Sequence, residues 1–137
     1  MTQSIPFFRH DLGQQELDSI AAVFHGNILT TGEFVDEFEK RFAEFLRSRY
    51  AIGVTSCTAA LQLALHALDI GPGDEVITTP LSFIATATAI IQAGATPIFV
   101  DVEPDTGNIN ANAIESAITS RTRAILPVHL YGQMCDM

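Results

Sequence analysis

The chain has 137 residues, with sixteen Asp plus Glu against seven Lys plus Arg and a formal charge of −9. That length suits a single domain, the 47% apolar content excludes a disordered acidic tail, and the acidic balance argues against nucleic acid or an anionic membrane as partner. With two cysteines no disulfide framework is possible, and neither a signal-peptide h-region nor a membrane-length apolar run is visible, so a soluble, cytoplasmic α/β domain is expected.

The first helical pattern runs from about Gln14 to Phe24, where Leu17, Ile20, Ala21 and Phe24 repeat at helical spacing before Gly26 and Asn27 stop it. Asn27 to Gly32 reads as a loop. A second helix is expected from Glu33 to about Ser48, with acids early and bases late, as the helix dipole favours. Phe34, Phe38, Phe42 and Phe45 form a stripe along it, read first as core packing and next as a subunit interface. After Tyr50 the character changes. Ala51 to Thr55 is expected to be a strand, followed by Ser56-Cys57-Thr58 and a helix carrying Leu61, Ala64, Leu65 and Leu68 that ends near Gly71-Pro72-Gly73. Strands are then expected at Glu75–Thr79, Thr96–Asp101 and Ala124–Val128, with helices at Ser82–Ala93 and after Asn110 or Asn112. This alternation is the βαβ rhythm of a parallel sheet, and it divides the chain into a helical arm, residues 1–50, and an α/β portion, residues 51–137.

Ligands of open parallel sheets bind beyond the carboxyl ends of the strands. The turn Thr55-Ser56-Cys57-Thr58-Ala59 sits at such an end. The free N–H groups of Thr58 and Ala59, with the hydroxyls of Ser56 and Thr58, form an anion site suited to phosphate, although ordinary helix capping explains the same residues equally well. Neither a P-loop nor a G-x-G-x-x-G is present, so the ATPase and dinucleotide readings fail. Phe83 stands at a second strand-to-helix turn, where its ring could stack on a flat heterocycle or simply fill a core. His129 ends the last strand. A Ser56–His129–Asp101 triad can be drawn but lacks the nucleophile elbow. Cys57, His66, His129 and Cys135 lack the spacing of metal ligands, so no metal is expected.

Together the strings T-T-G-E-F-V-D-E-F-E, S-C-T-A-A-L-Q-L-A-L, G-P-G-D-E-V-I-T-T-P-L-S-F-I-A-T, G-A-T-P-I-F-V-D-V and P-V-H-L-Y-G-Q resemble the DegT/DnrJ/EryC1/StrS family. These are pyridoxal 5'-phosphate (PLP) dependent aminotransferases of fold type I, mostly acting on nucleotide-linked keto sugars. The resemblance implies a three-layer α/β fold with a mainly parallel sheet, like the N-terminal part of the large domain of those enzymes. It implies that the backbone of Thr58 and Ala59 holds the cofactor phosphate with Cys57 adjacent to the cofactor, that Phe83 stacks on the pyridine ring, and that Thr31 and Gly32 lie near the substrate, across a homodimer interface. The implied reaction is a transamination with an amino donor such as glutamate.

Such chemistry requires a lysine for the Schiff base and an acid at the pyridine nitrogen. Lys40 is the single lysine, mid-helix beside Glu39 and Arg41 and far from any ligand edge, so no catalytic residue is assigned within the chain. The resemblance places both catalytic groups after Met137. The chain is therefore expected to be an N-terminal portion of such an enzyme, and to associate or fold poorly alone because sheet edges are left uncovered. A sugar dehydratase of the same family, and an inactive chain serving as an interaction module, are the other readings.

Overall fold

A computed structural model describes residue 6 and residues 8–137. The chain divides into two compact units, one ending at Gly53 and the other beginning at Val54.

The first unit carries helices α1 (Gln14–Phe24) and α2 (Glu33–Leu46). Glu16 starts α1 by accepting the Gly13 N–H at 2.7 Å, and that bond holds its carboxyl below the usual range. In α2 the acids Glu33 and Asp36 occupy the first turn, and Glu37 pairs with Arg41 one turn on. Arg47 caps α2 in a left-handed conformation, so the helix ends at Leu46, two residues before the expected end at Ser48. Gly53 N–H donates to the Glu39 carboxylate at 2.6 Å, which returns the chain to the side of α2. The phenylalanine stripe is not core. Phe38 and Phe42 stack at 5.6 Å, yet all four rings are exposed and Ala43 is the one buried residue of α2. Among the described residues, nothing within this unit buries the stripe.

The second unit is built on α3 (Cys57–Ala67), β1 (Glu75–Thr78), α4 (Ala85–Gln92), β2 (Thr96–Phe99), α5 (Ala111–Ala117) and β3 (Thr122–Ile125). Its three strands are parallel in the order β2-β1-β3. Central β1 is buried along its whole length because helices cover both faces. Val76 faces Leu65, Ile90 and Ala93 of α3 and α4, whereas Ile77 faces Val100, Ile109 and the apolar side of α5. The alternation of side chains along a strand thus makes a three-layer α/β/α arrangement. Pro97 has no N–H to donate and is tolerated because β2 is an edge strand of this sheet.

Several boundaries differ from expectation. Residues 51–55 form no strand, and Ile52 and Val54 are exposed. Their apolarity suits a strand, but a strand needs a partner backbone and no described residue pairs with them. The last strand begins at Thr122 rather than Ala124, because a register shift at Glu75/Val76 admits Arg123 as an extra residue. Leu126 prolongs this contact, donating to the Ile77 carbonyl and accepting from the Thr78 hydroxyl, each at 2.8 Å. Helix α4 starts at Ala85, not Ser82, since Ser82–Ile84 form the turn that leads into it.

The C-termini of α3 and α4 close the same way. Ile70 N–H returns to the Leu65 carbonyl with Asp69 left-handed, and Ala95 N–H returns to the Ile90 carbonyl with Gly94 left-handed. Asp69 therefore ends α3 before the Gly-Pro-Gly segment expected to do so. A Cβ on Gly94 would stand 3.0 Å from Pro72 Cδ, so the two helix ends adjoin. Gly94→Ala should destabilise the protein by at least about 1 kcal/mol, since it meets both the left-handed backbone and that contact. Urea unfolding measures this, and an unchanged midpoint would contradict it.

At the amino end of β1, the buried Glu75 carboxylate accepts from the Thr119 hydroxyl and from the Arg121 guanidinium. These bonds, Thr119 first and then Arg121, hold its pKa below the ordinary value. The resulting stability is fully present above a glutamate's ordinary pKa of about 4.3 and is lost as pH falls through the lowered folded-state value. Wild type should therefore lose more Tm than Glu75→Gln between pH 7 and pH 3.5. Parallel losses would show that this carboxylate does not drive the acid sensitivity.

Candidate functional site

Helix α4 leads from the carboxyl end of β1 to the start of β2, so it runs antiparallel to the strands. Helix α3 packs against α4 with their C-termini together at the amino edge of the sheet. The N-termini of both helices consequently lie at the carboxyl edge, where open parallel sheets bind ligands.

At the start of α3, Ser56 is extended and its Oγ accepts the Ala59 N–H at 3.1 Å, while the Ala60 N–H bonds the Ser56 carbonyl at 3.0 Å. Capping thus consumes the Ala59 donor that sequence reasoning counted as free. The N–H groups of Cys57 and Thr58 have no partner among the described residues. Capping and anion binding are not alternatives here. The cap uses one amide and leaves two at the positive end of an eleven-residue helix, with Cys57 exposed and Thr58 half-buried. Two free amides flanked by hydroxyls fit a phosphate group.

The loop entering α4 is braced from inside. Leu81 N–H donates to Thr79 Oγ1, Ser82 Oγ bonds the buried Thr86 Oγ1 at 2.6 Å, and Thr86 N–H reaches the Phe83 carbonyl at 3.1 Å. Phe83 is 78% exposed, so it does not fill the core formed by the described residues. The ring instead lines a groove of about 140 Å3 with Thr79, Ser82 and Phe99.

The remaining candidates separate. Thr31 and Gly32 belong to the first unit. Thr31 lines a recess of about 280 Å3 with Asn27, Ile28 and Phe34, and Gly32, at φ 118°, is the N-cap of α2. His129 Nδ1 accepts the Cys135 N–H at 3.1 Å, Asp101 accepts the Val102 N–H, and Ser56 caps α3, so the drawn triad is not hydrogen-bonded. Cys135 is buried with its thiol on the Val128 carbonyl, and His66 is exposed. Among the described residues no three His, Cys, Asp or Glu side chains converge. Lys40 is exposed on α2. Sequence reasoning missed Asn108, a buried polar residue whose side chain joins two segments at the carboxyl edge. A lone Asn beside a Pro-Asp-Thr-Gly turn carries no signal of long-range bonds.

The model of the DegT/DnrJ/EryC1/StrS aminotransferase family matches residues 10–137. The chain is 47% identical over 133 residues to the spore coat polysaccharide biosynthesis protein SpsC of Bacillus subtilis, covering 97% of this chain and 34% of that protein. It is 52% identical over 110 residues to GDP-perosamine synthase of Caulobacter vibrioides, covering 80% of this chain and 30% of that one. Among solved structures it superposes, at TM-score 0.92 and 36% identity, on the PMP form of the putative sugar aminotransferase Spr1654 from Streptococcus pneumoniae, covering 98% of this chain and 34% of the other. The chain thus spans about a third of the length of the curated relatives it matches.

Proposed function

Because the chain belongs to the DegT/DnrJ/EryC1/StrS aminotransferase family, we propose that the protein carrying it is a PLP-dependent sugar aminotransferase. In this reading residues 51–137 form the first part of the cofactor-binding large domain and residues 1–50 a helical arm. The observation that carries the reading is the pair of unpartnered amides, Cys57 and Thr58, at the start of α3. Those amides hold the cofactor phosphate. Ala59 serves it indirectly, through the Ser56 cap that fixes the turn. The Phe83 ring stacks on the pyridine face and excludes water from it. Thr31 and Gly32, with the recess beside them, meet the sugar.

When bound, PLP supplies the electron sink that lets an amino group pass from donor to acceptor. The donor is an amino acid such as glutamate and the acceptor a nucleotide-linked keto sugar, in a cytoplasmic homodimer. Lys40 takes no part, being exposed on α2 beside Glu39 and Arg41. No helix among the described residues is long and apolar enough to cross a membrane.

The second reading is a protein that binds the cofactor without catalysis. Absorbance titration separates the two. The protein carrying this sequence should develop a visible band with PLP, and the band should be bleached by L-glutamate with release of 2-oxoglutarate. PLP uptake without bleaching supports the second reading, and no uptake overturns both.

A further inference from the structure

Asn108 is 3% exposed, and its side chain spends three bonds on one distant segment. Its Oδ1 accepts the Leu130 N–H, and its Nδ2 donates to the carbonyls of Gln133 and Met134, all at 3.1 Å. The segment it holds is strained. Tyr131 adopts φ 51°, uncommon for a bulky residue, directly before Gly132 at φ 84°. The Tyr131 side chain is 90% exposed, so no packing of its own explains that conformation.

The neighbouring Gly107 ties this segment to a second one. At φ 70° it lies beneath two leucines. A Cβ there would stand 3.2 Å from Leu130 Cδ2 and 3.3 Å from Leu81 Cδ2. Leu81 belongs to the loop that presents Phe83. Gly107 and Asn108 therefore sit under two loops of the carboxyl edge at once, one bonded through its backbone and the other seated by side-chain contact.

We propose that Asn108 is a positioning residue, which with Gly107 sets the Leu81–Phe83 loop and the His129–Gly132 loop as one pre-organised wall of the ligand edge. This rests on the cofactor reading above for its functional consequence, though not for the coupling of the two loops. Removing the amide frees Leu130 N–H and two carbonyls and lets the strained turn relax. The support under Leu81 then shifts, and Phe83 with it.

The test compares Asn108→Ala and Gly107→Ala with Gly94→Ala, whose strain lies at the opposite edge of the sheet. All are made in the protein carrying this sequence and read at a temperature where each is folded. Amide hydrogen exchange should rise in both 80–86 and 129–135 for the first two variants and in neither segment for Gly94→Ala. Affinity for PLP, read by absorbance, should fall at least tenfold for the first two and stay within twofold for the control. Exchange that rises only in 129–135, or an affinity change matched by Gly94→Ala, overturns the proposal. If Asn108→Ala does not fold, Gly107→Ala decides by the same readouts. If the wild type takes up no PLP, the functional reading fails, and the exchange pattern alone decides the coupling.

Discussion

Cys57→Pro should weaken PLP binding roughly tenfold to a hundredfold while leaving α3 folded. The substitution deletes one of the two free amides and nothing the helix uses. Proline is favoured at the first helical position because the N–H there has no intrahelical acceptor. The residue before it must be extended, and Ser56 already is, at φ −162° and ψ 157°. A hydrogen bond from an amide to a charged group contributes about 1.5–3 kcal/mol, and about 1.4 kcal/mol is a factor of ten in affinity. Cys57→Ala is the matched control, since it removes the thiol, keeps the N–H, and should bind as wild type does. Absorbance titration gives the affinities and circular dichroism the helix content. Wild-type affinity in Cys57→Pro would remove the amide cradle from the site, and an equal loss in Cys57→Ala would transfer the role to the thiol.

Ile77→Ala should cost about 2–5 kcal/mol in unfolding free energy, the range for emptying a buried aliphatic position. Ile77 is fully buried at the middle of the central strand, among Val100, Ile109 and Cys135. Both its strand neighbours and α5 are fixed by the sheet, so the cavity has little room to collapse. Ile125→Ala on β3 removes the same atoms from a side chain 46% exposed and should cost far less. Urea denaturation of the two variants measures the difference. Equal losses would mean that the side of the sheet facing α5 is not a packed core.

These two sites differ in how far the sequence alone exposed them. Local patterns placed α1, α2 and the central strand well, because helix periodicity, dipole-matched charges and a short apolar run bounded by Gly and Pro are properties of adjacent residues. The Ser-Cys-Thr turn was also legible as the start of a helix. Which amides remain free was not, because that depends on whether the Ser56 hydroxyl turns inward to Ala59.

The failures share one cause. Residues 51–55 have the composition of a strand, but pairing is a relation between distant backbones and they have no described partner. Phe34, Phe38, Phe42 and Phe45 have the spacing of a buried face, but burial needs a covering surface that the described residues of their own unit do not supply. Phe83 shows the converse. Its position in the chain allowed core or ligand, and only the fold left it bare at the carboxyl edge.

Length, charge and motif order were enough to assign an acidic α/β chain of this aminotransferase family. The tertiary structure decided what joins residues far apart in sequence: Glu75 to Thr119 and Arg121, and Asn108 to Leu130, Gln133 and Met134. Side-chain hydrogen bonds across more than twenty residues leave no periodicity to read, because their geometry is set by the sheet and not by the neighbouring chain.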